Sequence, residues 1–75
     1  MEKNLIMFNS ATLVMRSRDI LSKHRISSKV IRTPANLRGK SCGYSLYINN
    51  NFDYAMDILG RFQIPILGTS VVDFK

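Results

Sequence analysis

Two stretches with helical apolar spacing are each bracketed by short apolar runs of strand length, and this pattern constrains the fold more than any other feature. Asn4 to Phe8 reads as a buried strand ended by Asn9-Ser10, with Ser10 placed to cap a helix. From Ala11 to about His24, Leu13, Val14, Ser17, Ile20 and Leu21 fall on one face, while Arg16 and Lys23 fill the other. His24 and Arg25 sit near its end, where positive charge suits the helix dipole. Ser28 to Thr33 is the next strand, closed by Pro34. Residues 34 to 41 contain Pro, Asn, Gly and Ser and read as an irregular loop. In the following strand, Cys42, Tyr44, Leu46 and Ile48 alternate with Gly43, Ser45 and Tyr47. Asn49-Asn50-Asn51 is a turn, and Asn51 is placed to cap a helix over Phe52 to Phe62 with Gly60 weakening its last turn. Pro65 stops that helix, and Ile66 to Val72 is the last strand, bent at Gly68.

The order is β-α-β-β-α-β, a pseudo-duplicated β-α-β pattern without any other repeat. It predicts an α+β, ferredoxin-like domain over residues 1–75: a four-stranded antiparallel sheet, two helices on one face, and strands one and three in the centre. Phe52, Phe62 and the four methionines are expected in the core. An uncovered outer sheet face would carry Ile6, Tyr47 or Val71 and invite pairing into a homodimer.

A chain of 75 residues buries a modest share of its surface, so its means of stabilisation matter. One cysteine permits no internal disulfide, and Cys42 with His24 cannot supply the four ligands of a structural zinc site. Stability must come from an efficient core or from self-association. A hydrophobic content of 45% supports a globular domain rather than a disordered tail. No apolar run approaches the roughly 20 residues that span a bilayer. Leu5 to Phe8 is too short for a signal-peptide core, so a cytoplasmic location is expected, where a lone thiol stays reduced.

The net charge is +6, and residues 16 to 40 hold eight of the eleven basic residues but only one acid, Asp19. One side of the fold should therefore be electropositive and attract acidic proteins, other anions or nucleic acid. The cysteine lies at the end of that region, in Pro34-Ala35-Asn36-Leu37-Arg38-Gly39-Lys40-Ser41-Cys42-Gly43-Tyr44. Arg32, Arg38 and Lys40 are near in sequence, and cationic neighbours raise the fraction of reactive thiolate. Against this stands the plain alternative of a small buried hydrophobe, since free cysteine is among the most buried residue types. Nucleophilic hydrolysis needs a base within hydrogen-bond reach. His24 is the one histidine, and it falls at the far end of the first helix. Paired carboxylates, a phosphate-cradling glycine loop and a metal motif are all missing, and no cofactor is implied. A single activated thiol can still carry sulfur or selenium as a persulfide or selenosulfide, or form a mixed disulfide.

Ser10-Ala11, the strand running into Arg32-Thr33-Pro34, and Ser41-Cys42-Gly43-Tyr44-Ser45-Leu46 resemble the small bacterial selenium/sulfur carrier-like protein family. The resemblance runs from about Leu5 to Val72, and Thr-Pro followed by Cys-Gly at this spacing is its most specific part. It implies a cytosolic protein that handles sulfur or selenium, and the preferred reading is a carrier or accessory protein between donor and acceptor proteins rather than a turnover enzyme on a small molecule. Cys42 would be the attachment site, and Thr33, Pro34 and Gly43 would shape the loop around it. The family usually has arginine after the proline, where this chain has Ala35; Arg38 or Lys40 would then have to take over its work, with Ser41 beside the thiol.

The alternative function is a small basic module that binds nucleic acid or an acidic protein, with Cys42 merely structural. Ferredoxin-like sheets bind RNA through aromatics on the two central strands. Here Tyr47 is the one candidate, and its first-strand counterpart is Ile6 or Met7.

Overall fold

The computed structural model describes residues 3–34 and 43–71. Four strands, β1 (Leu5–Met7), β2 (Ser28–Arg32), β3 (Tyr44–Ile48) and β4 (Gly68–Ser70), form one antiparallel sheet in the order β2-β3-β1-β4. Helix α1 (Ala11–Lys23) connects β1 to β2, and α2 (Phe52–Arg61) connects β3 to β4. This is the ferredoxin-like arrangement, with β1 and β3 central as expected.

Register assigns each strand residue to a face. Ile6, Leu46 and Val30 stand side by side and join the core with Phe8 and Ile48. Val14, Ile20 and Leu21 of α1 and Ala55, Ile58 and Leu59 of α2 pack into the same cluster, so both helices cover one face. Full burial of each Val, Leu, Ile or Phe among them stabilises the fold by roughly 1.5–3 kcal/mol.

Leu5, Tyr47 and Lys29 align on the opposite face, as do Met7, Ser45 and Ile31. Ile6 is therefore not an outer-face residue as expected, but a core one. Leu5-Ile6-Met7-Phe8 is apolar throughout and has no alternation from which to read its facing. Tyr47 is on the outer face and half-buried, whereas Leu5 and Ser45 are fully buried there.

The helix ends show where local chemistry succeeds and where it misleads. Ser10 caps α1 from an extended backbone and accepts a hydrogen bond from the Leu13 N–H at 3.3 Å. Asn51 occupies the corresponding place before α2, but its φ is 62° and its side chain makes no capping bond. Its role is to take up a left-handed turn, which asparagine tolerates better than most residues.

Both helices stop in the same way. After α1, Ile26 N–H bonds back to Leu21 C=O and Arg25 N–H to Ser22 C=O; after α2, Ile64 bonds to Leu59 and Gln63 to Gly60. Arg25 and Gln63 are both left-handed, with φ of 62° and 56°. These are paired Schellman closures, each followed by a buried isoleucine at the apolar position that the motif favours. The pseudo-duplication reaches the residues themselves: Asp19-Ile20-Leu21-Ser22-Lys23-His24-Arg25-Ile26 corresponds to Asp57-Ile58-Leu59-Gly60-Arg61-Phe62-Gln63-Ile64. The two capping residues also meet, with the His24 and Phe62 rings edge to face at 6.0 Å.

Two core expectations fail on exposure. Phe62 is 47% and Met15 43% exposed, because both lie on the solvent side of their helices. Phe52, Met56 and Met7 are partly buried, and Met1 lies outside the described residues.

Candidate functional site

The β2–β3 hairpin carries the residues singled out by the sequence. Its paired strands end at Arg32 opposite Tyr44, and one further bond closes it: Thr33 N–H donates to Gly43 C=O at 2.9 Å. The chain thus leaves at Pro34 and returns at Gly43 beside its starting point. Cys42, Arg38, Lys40 and Ser41, with Ala35, lie outside the described residues; Thr33, Pro34 and Gly43 lie within them.

Four local features hold this base. Thr33 and Ser45 are fully buried, and their hydroxyls are 2.6 Å apart, so each answers the other's hydrogen-bonding need. A buried hydroxyl without a partner costs about 1–3 kcal/mol, which makes this pair a local lock. Gly43 has φ of +94°, and a Cβ there would meet nothing within 4 Å. Glycine is needed for the backbone angle and not for space. Pro34 fixes its own φ and biases Thr33 towards extended backbone, which the strand pairing requires. On the helix side, the Arg32 guanidinium lies 5.9 Å from the centre of the Tyr44 ring, within cation–π range.

Ser45 was not anticipated as part of this base. The available signal was its antiparallel register: a threonine leaving one strand and a serine two residues into the next fall on one face and within reach.

His24 does not belong to the site. Its Nδ1–H donates to the Ile20 carbonyl at 3.0 Å, and its ring abuts Phe62 at the C-terminal end of α1. Tyr44 and Val30 instead line the N-terminal end of that helix with Ala11. A helix of 13 residues spans about 20 Å. Gly43, the neighbour of Cys42 in the chain, is therefore at the other end of the sheet from the histidine.

The outer sheet face offers no RNA platform among the described residues. Tyr47 is its aromatic on the central strands, half-buried, with its hydroxyl turned to Asn49 Oδ1 at 3.4 Å. Leu5, its neighbour on β1, is fully buried. Base stacking needs exposed rings on both strands.

A family model described as "Putative Se/S carrier protein-like" matches residues 3–70. The chain belongs to this family. The matched region takes in all four strands, both helices and the whole hairpin with Cys42. No curated protein and no solved structure gives a match. Among the described residues, no helix is long and apolar enough to cross a membrane.

Proposed function

We propose that this protein carries sulfur or selenium on Cys42 and passes it between proteins. The observation that supports the reading most is the closure at Thr33 and Gly43. In a member of a carrier-like family, it brings together both ends of the segment that contains the one cysteine, on a buried and hydrogen-bonded base. A fixed base suits a thiol that must be met by two different proteins in turn.

In the proposed cycle, the Cys42 thiolate attacks the outer sulfur of a donor persulfide, R–S–SH. A new S–S bond forms to Cys42, the donor's S–S bond breaks, and the donor leaves as its thiolate. An acceptor thiolate then attacks the same outer sulfur, and Cys42 leaves as thiolate. The transferred sulfur keeps its oxidation level, so no oxidant or reductant is consumed. A donor of the form R–S–SeH passes selenium by the same exchange. Free selenide is two electrons more reduced and would need an oxidant, so the donor class is persulfide-like.

Arg38 and Lys40, near Cys42 in the sequence, would favour the thiolate and the anionic adduct electrostatically, and Ser41 precedes it in the chain. Thr33, Pro34 and Gly43 hold the base. The cycle needs a reducing compartment, in keeping with the cytoplasm, and a donor and an acceptor protein. A homodimer is compatible with it.

The test is intact-mass spectrometry after incubation with glutathione persulfide. The expected result is a gain of one sulfur per chain, reversed by dithiothreitol and absent in Cys42→Ser with an unchanged circular dichroism spectrum. A Cys42→Ser protein that gains sulfur like the wild type, or a wild type that gains none, would overturn the proposal.

A further inference from the structure

Six large apolar side chains are exposed among the described residues, and three of them, Met15, Tyr44 and Phe62, lie along one flank of α1. Two depressions on that flank share Met15. The smaller, of about 150 Å³, sits at the hairpin end between Met15, Val30 and Tyr44. The larger, of about 540 Å³, follows the helix past Thr12, Met15 and Arg16 to Lys23 and Phe62.

The charges along this strip are mostly positive. Arg16 and Lys23 line the larger depression, and Arg32 stands over Tyr44 at the other end. Asp19 is the acid in the lining, and Arg18 answers it at 3.4 Å. None of Arg16, Lys23 and Arg32 is in a salt bridge among the described residues. From Thr12 to Lys23 the helix covers roughly 17 Å, about three turns.

We propose that this flank, from Tyr44 past Met15 to Phe62, docks an acidic amphipathic helix of a partner protein. Apolar anchors at helical spacing would fill the two depressions, and carboxylates on their borders would meet Arg16, Lys23 and Arg32. This is the helix-in-groove mode of recognition. A second copy of this chain is a poor occupant, because each copy has a net charge of +6 and would bring the same cations to the contact. Nucleic acid would match the charge but not the aliphatic depression around Met15 and Val30. The docking does not depend on the carrier reading, although its Tyr44 end lies two residues from Cys42 in the chain.

The experiment is an NMR titration of ¹⁵N-labelled protein with a synthetic acidic peptide of about three helical turns, carrying leucines on one face and glutamates elsewhere. A permuted peptide of identical composition, without the apolar stripe, is the control. The amphipathic peptide should bind about tenfold more tightly than the permuted one, the effect of correctly placed anchors. Amide shifts should concentrate on α1, Tyr44 and Phe62, and binding should weaken as salt is added. Met15→Lys should weaken binding by about tenfold, with Arg16→Glu plus Lys23→Glu acting in the same direction. Met15 is exposed, so its variant should keep a dispersed spectrum, which guards against loss of fold as the cause.

Equal affinity for the permuted peptide would reduce the surface to bare charge and overturn the proposal. Self-association without peptide, abolished by Met15→Lys, would assign the strip to a second copy. Preferential shifts of the same amides by single-stranded RNA would assign it to nucleic acid. Cys42→Ser should bind the amphipathic peptide like the wild type, so failure of the carrier chemistry and failure of docking are read separately.

Discussion

The segments Asp19–Ile26 and Asp57–Ile64 end the two helices with one backbone device and two different surfaces. Inward, they agree: Leu21 and Leu59 are fully buried, each carbonyl receives the N–H of a buried isoleucine, and Arg25 and Gln63 share a left-handed backbone. Outward, they differ. Arg61 is bound to Asp57 at 2.9 Å, one turn away, whereas among the described residues Lys23 has no such pair and Asp19 is held by Arg18. The first helix also shows Arg16 to solvent, and the whole of residues 16–40 is basic. Close-packed protein interiors tolerate few alternatives, which accounts for the likeness of the inward residues. The solvent side has no such restriction. The second helix pairs its Arg61 with Asp57, while the first leaves Arg16, Lys23 and Met15 exposed.

The comparison is broken most severely at the shared leucines. Leu21→Ala and Leu59→Ala should each cost about 2–5 kcal/mol in urea unfolding, a large part of the stability of so small a domain. Comparable losses at both sites would support equivalent roles. A tolerated substitution at one would mean that the two halves share sequence but not structural duty.

A smaller effect belongs to the hairpin, outside the duplicated segments. Thr33→Val preserves shape but leaves the buried Ser45 hydroxyl without its partner, at a cost of about 1–3 kcal/mol. Adding Ser45→Ala should restore most of the loss, because both polar groups are then gone. A double variant no more stable than Thr33→Val would show that the pair is not a lock.

The smallest effect sharpens the likeness of the helix ends. Arg25→Gly and Gln63→Gly relieve a left-handed backbone that costs an L-residue roughly 1–2 kcal/mol. Glycine's greater loss of chain entropy, about 0.5–1 kcal/mol, offsets part of this. Each should raise the melting temperature by a few degrees, which thermal unfolding followed by circular dichroism would read.

Much of the fold was legible because periodicity and punctuation agreed. The spacing of Val14, Ser17, Ile20 and Leu21 identified the buried face of α1, Ser10 marked its start, and Pro34 and Pro65 marked where elements stop. The facing of Ile6 was not legible, since four consecutive apolar residues carry no period. Nor was the exposure of Phe62 and Met15, because an aromatic or a methionine at helical spacing reads as core unless the partner face is known. Asn51 occupied the capping position by sequence, but its backbone angle excluded the usual capping geometry. At the candidate site, Thr33, Pro34 and Gly43 were visible as a motif. What joined them was visible only once β2 and β3 were in register: the hydrogen bond between Thr33 and Gly43 and the hydroxyl of Ser45.

The proposed carrier role requires Cys42 to work as an accessible thiolate. Its most direct test is the pH dependence of iodoacetamide labelling of the native protein, read by intact mass. Labelling is expected without denaturant, with a midpoint below the roughly 8.5 of a free thiol, moved upward in Arg38→Ala plus Lys40→Ala. A thiol that reacts only after unfolding in urea would contradict it and make Cys42 part of the core.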